Sequence, residues 1–166
     1  IDGESANDYF GFSVSISNDG NTVAIGAKDS NANMTYPSSN TYIGSTEVFR
    51  WNEEEWIQLG EDIDGEAAGD YSGSCVSISG DGNIVAIGAP SNDPLGQLDP
   101  SGDAGHVRIY SYDGSGWTQL GEDIDGEFGG DFSGSSVDLS YDGGVVAIGS
   151  YNNNDNGTNA GHVRVY

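Results

Sequence analysis

The same stretch of sequence occurs three times along this chain of 166 residues. "DYFGFSVSISNDGNTVAIGA" at 8–27 returns as "DYSGSCVSISGDGNIVAIGA" at 70–89 and as "DFSGSSVDLSYDGGVVAIG" at 131–149. Each copy follows an "IDGE" that begins at Ile1, Ile63 or Ile124, and these positions lie 62 and 61 residues apart. A period in this range indicates a fold built by stacking copies of one supersecondary unit.

Each repeat carries four strand signals joined by turn signals. In the first repeat the alternating runs that predict strands are 12–17, 22–27, 46–51 and 56–59. The Asp-Gly pairs that begin at Asp19, Asp81 and Asp142 separate the first two runs, which is typical of a β-hairpin. No window has a convincing helical period, so the sequence predicts an all-β fold.

The first strand of each repeat separates bulky from small side chains. In the first repeat the bulky set is Phe12, Val14 and Ile16, and the small set is Ser13, Ser15 and Ser17. A sheet with one bulky and one small face can stack on a copy of itself, whereas a β-sandwich needs two apolar inner faces. Asp138 replaces a serine on the small face, and a carboxylate packed there needs a polar partner.

Four antiparallel strands in a repeat of this length predict the blade of a β-propeller. The predicted repeats are 1–62, which starts at the end of a preceding fourth strand, 63–123, and 124–166, which lacks its fourth strand. The chain therefore holds about 2.7 blades, while propeller rings usually contain about four to eight. We expect further blades elsewhere in the same chain or in another copy.

The pattern "FG-x-SVSIS-x-DG-x-x-VAIGA…G-x-x-V" resembles the FG-GAP repeat, the blade of the integrin α-subunit β-propeller and of many surface proteins. Phe10-Gly11 supplies the FG, and Gly88-Ala89-Pro90 supplies the GAP, while the other copies keep only parts of each. The resemblance covers the whole chain and implies a propeller in an extracellular or cell-surface protein. Such propellers serve adhesion, scaffolding and sometimes catalysis, so the resemblance specifies a fold more closely than a function.

The charge of the chain restricts its partners. It has 27 acidic residues, four basic residues and a formal net charge of −23. This balance disfavours nucleic acid and anionic membranes, because phosphate binding needs clustered Lys and Arg. No apolar stretch reaches the roughly 18 residues of a membrane span, so we expect no direct membrane insertion. The acidity fits cations, a basic partner or a saline medium, or serves solubility alone.

Two acidic elements are candidate cation sites. The resemblance implies calcium in the hairpin between the first two strands, but each hairpin here offers one Asp where calcium needs about six to eight oxygens. The other element is "D-G-E-x-x-x-D", which could gather Ca²⁺ or another hard cation between repeats. Its acids are Asp2, Glu4, Asp8, Asp64, Glu66, Asp70, Asp125, Glu127 and Asp131. The alternative is that the last Asp caps a turn and the Glu is solvated.

Recognition is expected in the loops between the second and third strands, because they are long and differ in all three repeats. They lie at the same end of the blades as the connections between repeats, where most of the acids fall. We expect a protein or glycan partner at this end. The sequons that begin at Asn33 and Asn156 fall in the same loops and predict N-glycosylation.

Few residues suggest catalysis. His106 and His162 occupy equivalent places, so they are features of the repeat, and Trp56 and Trp117 recur as packing residues. Cys75 is the single cysteine and aligns with serines, which predicts a small packing residue. The predicted function is non-enzymatic adhesion, protein interaction or surface assembly. The alternatives are a cation-dependent carbohydrate-binding module, or a propeller hydrolase whose catalytic residues lie outside this sequence.

Overall fold

The computed structural model describes residues 1–30, 42–93 and 102–166. Within these ranges the regular elements are all β-strands, arranged as three antiparallel sheets with one sheet for each repeat. The described ranges hold no helix of the length and apolarity that crossing a bilayer requires. The all-β prediction and the blade-like sheets are therefore confirmed.

The strands of each sheet follow one another in chain order. Sheet 1 contains β1 (Phe10–Ile16), β2 (Thr22–Ala27), β3 (Ser45–Trp51), β4 (Trp56–Gln58) and β5 (Ile63–Asp64). Sheet 2 contains β6 (Cys75–Ile78), β7 (Ile84–Ala89), β8 (His106–Tyr112), β9 (Trp117–Gln119) and β10 (Ile124–Asp125). Sheet 3 contains β11 (Ser133–Leu139), β12 (Val146–Ser150) and β13 (His162–Val165).

The outer edge of sheets 1 and 2 is one strand broken into two short pieces. Both β4 and β5 pair antiparallel with β3, and both β9 and β10 pair with β8. Ile63 and Asp64 therefore hydrogen-bond with the sheet of the first repeat before the chain crosses to the second. The sequence had not indicated this break in the fourth strand. The repeat boundaries stay predictions.

The hairpin turn between β1 and β2 is held together by Asp19. The Ser17 hydroxyl donates to Asp19 Oδ1 at 2.6 Å, and the Asn21 N–H donates to the same oxygen at 3.0 Å. Gly20 has a φ of 75°, the left-handed conformation that glycine adopts without strain. The serine hydrogen bond is the main reason that the pKa of Asp19 is lowered. Equivalent serine bonds are made by Asp81 and Asp142.

The sheets stack with the bulky face of one on the small face of the sheet before it. The core between sheets 1 and 2 consists of Ala24, Val48, Ile63, Val76, Ile78, Val85, Ile87 and Tyr110. The core between sheets 2 and 3 consists of Ala86, Val107, Val137, Val146 and Ile148. Phe12, Val14 and Ile16 form the bulky face of sheet 1 and are exposed. The two-faced strands thus pack as the alternation predicts.

The small polar residues on these faces bond the backbone of the next sheet. Ser13 Oγ donates to the Gly73 carbonyl at 2.8 Å, and Ser15 Oγ accepts the N–H of Ile78 at 3.1 Å. One sheet further on, Ser77 Oγ accepts the N–H of Leu139 at 3.0 Å and donates to Asp138 at 3.4 Å. Ser77 is thus the polar partner of Asp138 that the sequence did not name.

The glycines of the FG and GAP motifs meet between neighbouring sheets. A Cβ on Gly26 would lie 2.0 Å from the Gly73 carbonyl oxygen, and a Cβ on Gly88 would lie 2.1 Å from the Gly134 carbonyl oxygen. Gly73 and Gly134 also have φ angles of 81° and 84°. At Gly134 the left-handed residue accompanies a break in the register between β11 and β12. These positions need glycine for contact and for conformation.

Candidate functional site

The last Asp of the acidic motif is a buried link between two loops. Asp70 Oδ2 accepts the Ala67 N–H and the Asn92 side-chain amide, each at 3.0 Å. Asp131 Oδ2 accepts the side-chain amide of Asn153 at 2.9 Å. Both aspartates are buried. These bonds join the connection between repeats to the start of the loop that follows the second strand, so the two loops form one "loop end" of the sheets.

The first repeat holds its loops together mainly through backbone. Asp8 is buried, and the N–H of Asp29 donates to its carbonyl at 3.3 Å. Burial raises the pKa of the Asp8 carboxyl, and a backbone hydrogen bond from Ser5 lowers it. In all three repeats the two loops are therefore joined by hydrogen bonds at the last Asp of the acidic motif.

In the second and third repeats the glutamate of the motif lies beside an arginine. Arg108 Nη1 lies 3.6 Å from Glu66 Oε1, and Arg108 Nη2 donates to the Asp64 carbonyl at 2.7 Å. Arg164 contacts Glu127 at 3.8 Å and also donates to the Asp125 carbonyl. The third strand of one repeat thus holds the connection from the repeat before it.

Glu47 occupies the arginine position in the first repeat. It pairs with Ile25 across the sheet, as Arg108 pairs with Ile87 and Arg164 with Ile148. The side chain of Glu47 is only 5% exposed, and burial raises its pKa to about 7, with the nearby charges of Asp62, Glu4 and Asp8 adding to the shift. Glu47 is not among the predicted site residues, although it aligns with Arg108 when the repeats are superposed in sequence.

The structure does not gather the three acids of any one motif. Among the described residues, two groups could hold a metal ion: Glu66, His106 and Asp123, and Glu127, Asp155 and His162. Two of the nine predicted acids, Glu66 and Glu127, therefore lie in clusters, each with a histidine. Asp2, Glu4, Asp8, Asp64, Asp70, Asp125 and Asp131 are in neither cluster. The histidines were not predicted as ligands, because their equivalent positions in the second and third repeats suggested a structural feature of the repeat.

The loop end also carries exposed aromatic rings. Phe128, in the connection before sheet 3, is 59% exposed, and Tyr151, just after β12, is 62% exposed. Tyr151 stacks on Phe132 with ring centroids 5.5 Å apart, which joins the two loops a second time. Asn156 is exposed in the same loop, whereas Asn33 lies outside the described residues. Both glycosylation sites stay predictions.

The tryptophans and the cysteine make contacts within the fold. Trp117 Nε1 donates to the Leu59 carbonyl at 2.7 Å and so links sheet 2 to sheet 1. Trp56 packs against Trp51 with ring centroids 5.7 Å apart. Cys75 Sγ accepts the N–H of Val137 at 3.3 Å, and burial raises the pKa of its thiol.

The comparisons with known proteins agree with the repeat. A family model described as the FG-GAP repeat matches residues 2–43 and 63–110, which is more than half of the chain. A comparison with curated proteins gives no match. The matched ranges contain the FG of the first repeat and the GAP of the second. The chain therefore belongs to the FG-GAP repeat family.

Proposed function

We propose that this chain is a non-enzymatic β-propeller segment that binds a protein or glycan through its loop end, in adhesion or surface assembly outside the cell. The FG-GAP repeat supports a propeller-type interaction module. In the third repeat, where the structure describes both loops throughout, Asp131 and Tyr151 join one loop to the other, which gives a partner a preformed surface. Ordering loops at an interface costs free energy, and a surface ordered in advance reduces that cost.

The observation that carries the proposal is the pair of exposed rings on tied loops. Phe128 and Tyr151 come from different loops, and Tyr151 is fixed by stacking on Phe132. Aromatic residues are enriched at interfaces because they bury a large area with few rotatable bonds. The formal net charge of −23 favours a partner with a basic surface.

A cell-attachment assay tests this proposal. Surfaces coated with the chain are compared with surfaces coated with Phe128→Ser/Tyr151→Ser, using cells from the organism that supplies the sequence. The matched control is Tyr141→Ser, because Tyr141 is 70% exposed but lies in the hairpin turn at the opposite end. We expect attachment to fall at least about tenfold for the double variant, since each buried aromatic anchor contributes more than about 1 kcal/mol.

Equal attachment to the double variant and to the chain contradicts the proposal, as does an equal loss with Tyr141→Ser. The same proteins on a glycan array separate the two partner classes. If the unaltered chain binds the array and the double variant does not, the partner is a glycan. If the unaltered chain attaches to cells but does not bind the array, the partner is a protein. A mass shift at Asn156 on treatment with an N-glycosidase supports the extracellular location, because sequons are modified on that route.

A further inference from the structure

His106 is a buried histidine without a hydrogen-bond partner. It begins β8, is 1% exposed, and neither Nδ1 nor Nε2 has a hydrogen-bond partner among the described residues. The nearest acidic atom is Asp123 Oδ2, 3.7 Å from Nδ1, which is too far for a hydrogen bond. Buried polar atoms in native proteins almost always have partners, so this ring needs an explanation.

Two carboxylates lie beside this ring. Glu66, His106 and Asp123 each present one ligand atom, and the three atoms all lie within 4.8 Å of one another. Ligands that share a tetrahedral zinc ion stand about 2.0–2.2 Å from it and so about 3.3–3.6 Å from one another, which requires atoms as far as 4.8 Å apart to approach by up to about 1.5 Å. Glu66 is half exposed and can move, whereas Asp123 Oδ1 is held by the side-chain amide of Gln119 at 2.7 Å. Such an outer bond is what orients a ligating carboxylate.

The chemistry of the cluster selects the class of ion. Metals bind the neutral imidazole, and burial to 1% exposure disfavours the charged form of His106. Imidazole with carboxylate ligands suits zinc and other first-row transition ions, whereas Ca²⁺ and Mg²⁺ take oxygen ligands. The two carboxylates carry two negative charges and the guanidinium of Arg108 carries one positive charge, so the net charge around the cluster is negative.

We propose that Glu66, His106 and Asp123 form a binding site for a divalent transition metal ion such as Zn²⁺. Glu66 belongs to the connection between sheets 1 and 2, His106 to β8, and Asp123 to the chain just before β10. The bound ion joins these three segments and gives His106 its missing partner. The site contains neither Phe128 nor Tyr151, so the metal-binding test and the attachment test can fail independently of each other.

The other repeats provide natural comparisons. Ser45 stands in the first repeat where the second has His106, so the first repeat lacks the imidazole ligand. In the third repeat His162 Nδ1 lies 3.8 Å from Glu127 Oε2, but its third neighbour is Asp155 and the group is more exposed. His106→Ser therefore copies a residue that the repeat accepts at this position, and His162→Ser is the matched control.

The test is a Zn²⁺ titration of the chain in excess Mg²⁺, which occupies the diffuse cation sites of an acidic surface. Heat of binding gives the affinity, and the nitrogen chemical shifts of the imidazoles report which histidine binds. We expect one Zn²⁺ with a shift at His106, retained in His162→Ser and weakened roughly 100-fold or more in His106→Ser. The melting temperature of the chain should rise with Zn²⁺, because the ion binds the folded form.

Unchanged affinity in His106→Ser overturns the proposal, as does the absence of a Zn²⁺-dependent shift at His106. If circular dichroism shows that His106→Ser does not fold, Asp123→Asn and Glu66→Gln take its place. Both should weaken Zn²⁺ binding at least about tenfold while their spectra match that of the unaltered chain. Full affinity in both folded variants is also a contradiction.

Discussion

Replacing Gly88 by alanine tests whether the GAP glycine is required by the stacking of the sheets. The new Cβ would lie 2.1 Å from the Gly134 carbonyl oxygen and 3.0 Å from its carbonyl carbon. Both atoms are backbone of sheet 3, so no side-chain rotation removes the clash. Gly88 does not have a positive φ, so conformational strain adds nothing to the effect.

The size of the effect follows from the displacement required. Bringing the Cβ to 3.0 Å, the closest approach that real Cβ atoms make, needs the two backbones to separate by at least about 0.9 Å at this point. A gap of that size loses about a quarter to a half of the dispersion energy of the atom pairs concerned. Overpacking typically costs about 1–3 kcal/mol, and alanine recovers about 0.5–1 kcal/mol of chain entropy relative to glycine. We expect a net destabilisation of about 1 kcal/mol, with an upper bound of about 2.5 kcal/mol.

Gly149→Ala is the matched control, because Gly149 occupies the same place in the third repeat. Its new Cβ would meet the Ser136 hydroxyl at 2.2 Å, but Ser136 is exposed and its side chain can rotate away. We expect a change below about 0.5 kcal/mol. Urea unfolding followed by tryptophan fluorescence measures both variants, with midpoint and slope compared. Equal destabilisation in the two variants would refute the argument that sheet contact requires this glycine.

Four further outcomes are expected. Because the pKa of Glu47 is raised from 4.5 to about 7 in the folded chain, the free energy of unfolding should fall as the pH rises through this range, by up to about 3 kcal/mol relative to Glu47→Gln. If the urea midpoints of the two proteins change with pH by the same amount, the prediction is wrong. Trp117→Phe removes the bond to Leu59 and should cost about 1 kcal/mol in the same assay, and no loss would show that the bond contributes nothing. Added NaCl should raise the unfolding midpoint, because it screens the repulsion of a chain with a net charge of −23, and a lower midpoint would be evidence against that repulsion. Iodoacetamide should modify Cys75 much more slowly in the folded chain than in urea, where equal rates would mean that burial does not protect the thiol.

The loop end was largely predictable from the sequence, but the chemistry within it was not. Alternating hairpins determine which connections share an end, and the sequence offered turn capping as one role for the last Asp of each motif. The side-chain amides that bind Asp70 and Asp131 come from Asn92 and Asn153, in the next loop along the chain. The repeated sequence does not indicate these hydrogen bonds, because they form only when the two loops pack together.

Glu47 and His106 show where reasoning from the repeat fails. The repeat gives every copy the same backbone position at these sites, but it does not give them the same neighbours. Glu47 lies near other acids, whereas Arg108, at the equivalent position of the second repeat, contacts Glu66. His106 lies beside Asp123, whereas the equivalent residue of the first repeat is Ser45. Aligning the repeats shows which residue differs at a position. The effect of that residue on the structure depends on side chains that come from another repeat.

Those parts of the structure that depend on contacts between neighbouring residues could be predicted from the sequence. Asp-Gly turns set the hairpins, alternation set the two faces of each strand, and a period of about 61 residues set the stacking of sheets. Which acids approach one another depends on how the sheets and loops pack in three dimensions. This packing separates Asp64, Glu66 and Asp70, which are close in sequence, and brings Glu66 to His106 and Asp123. Hairpins form through local bonds, whereas this cluster needs three segments held together by the packed sheets.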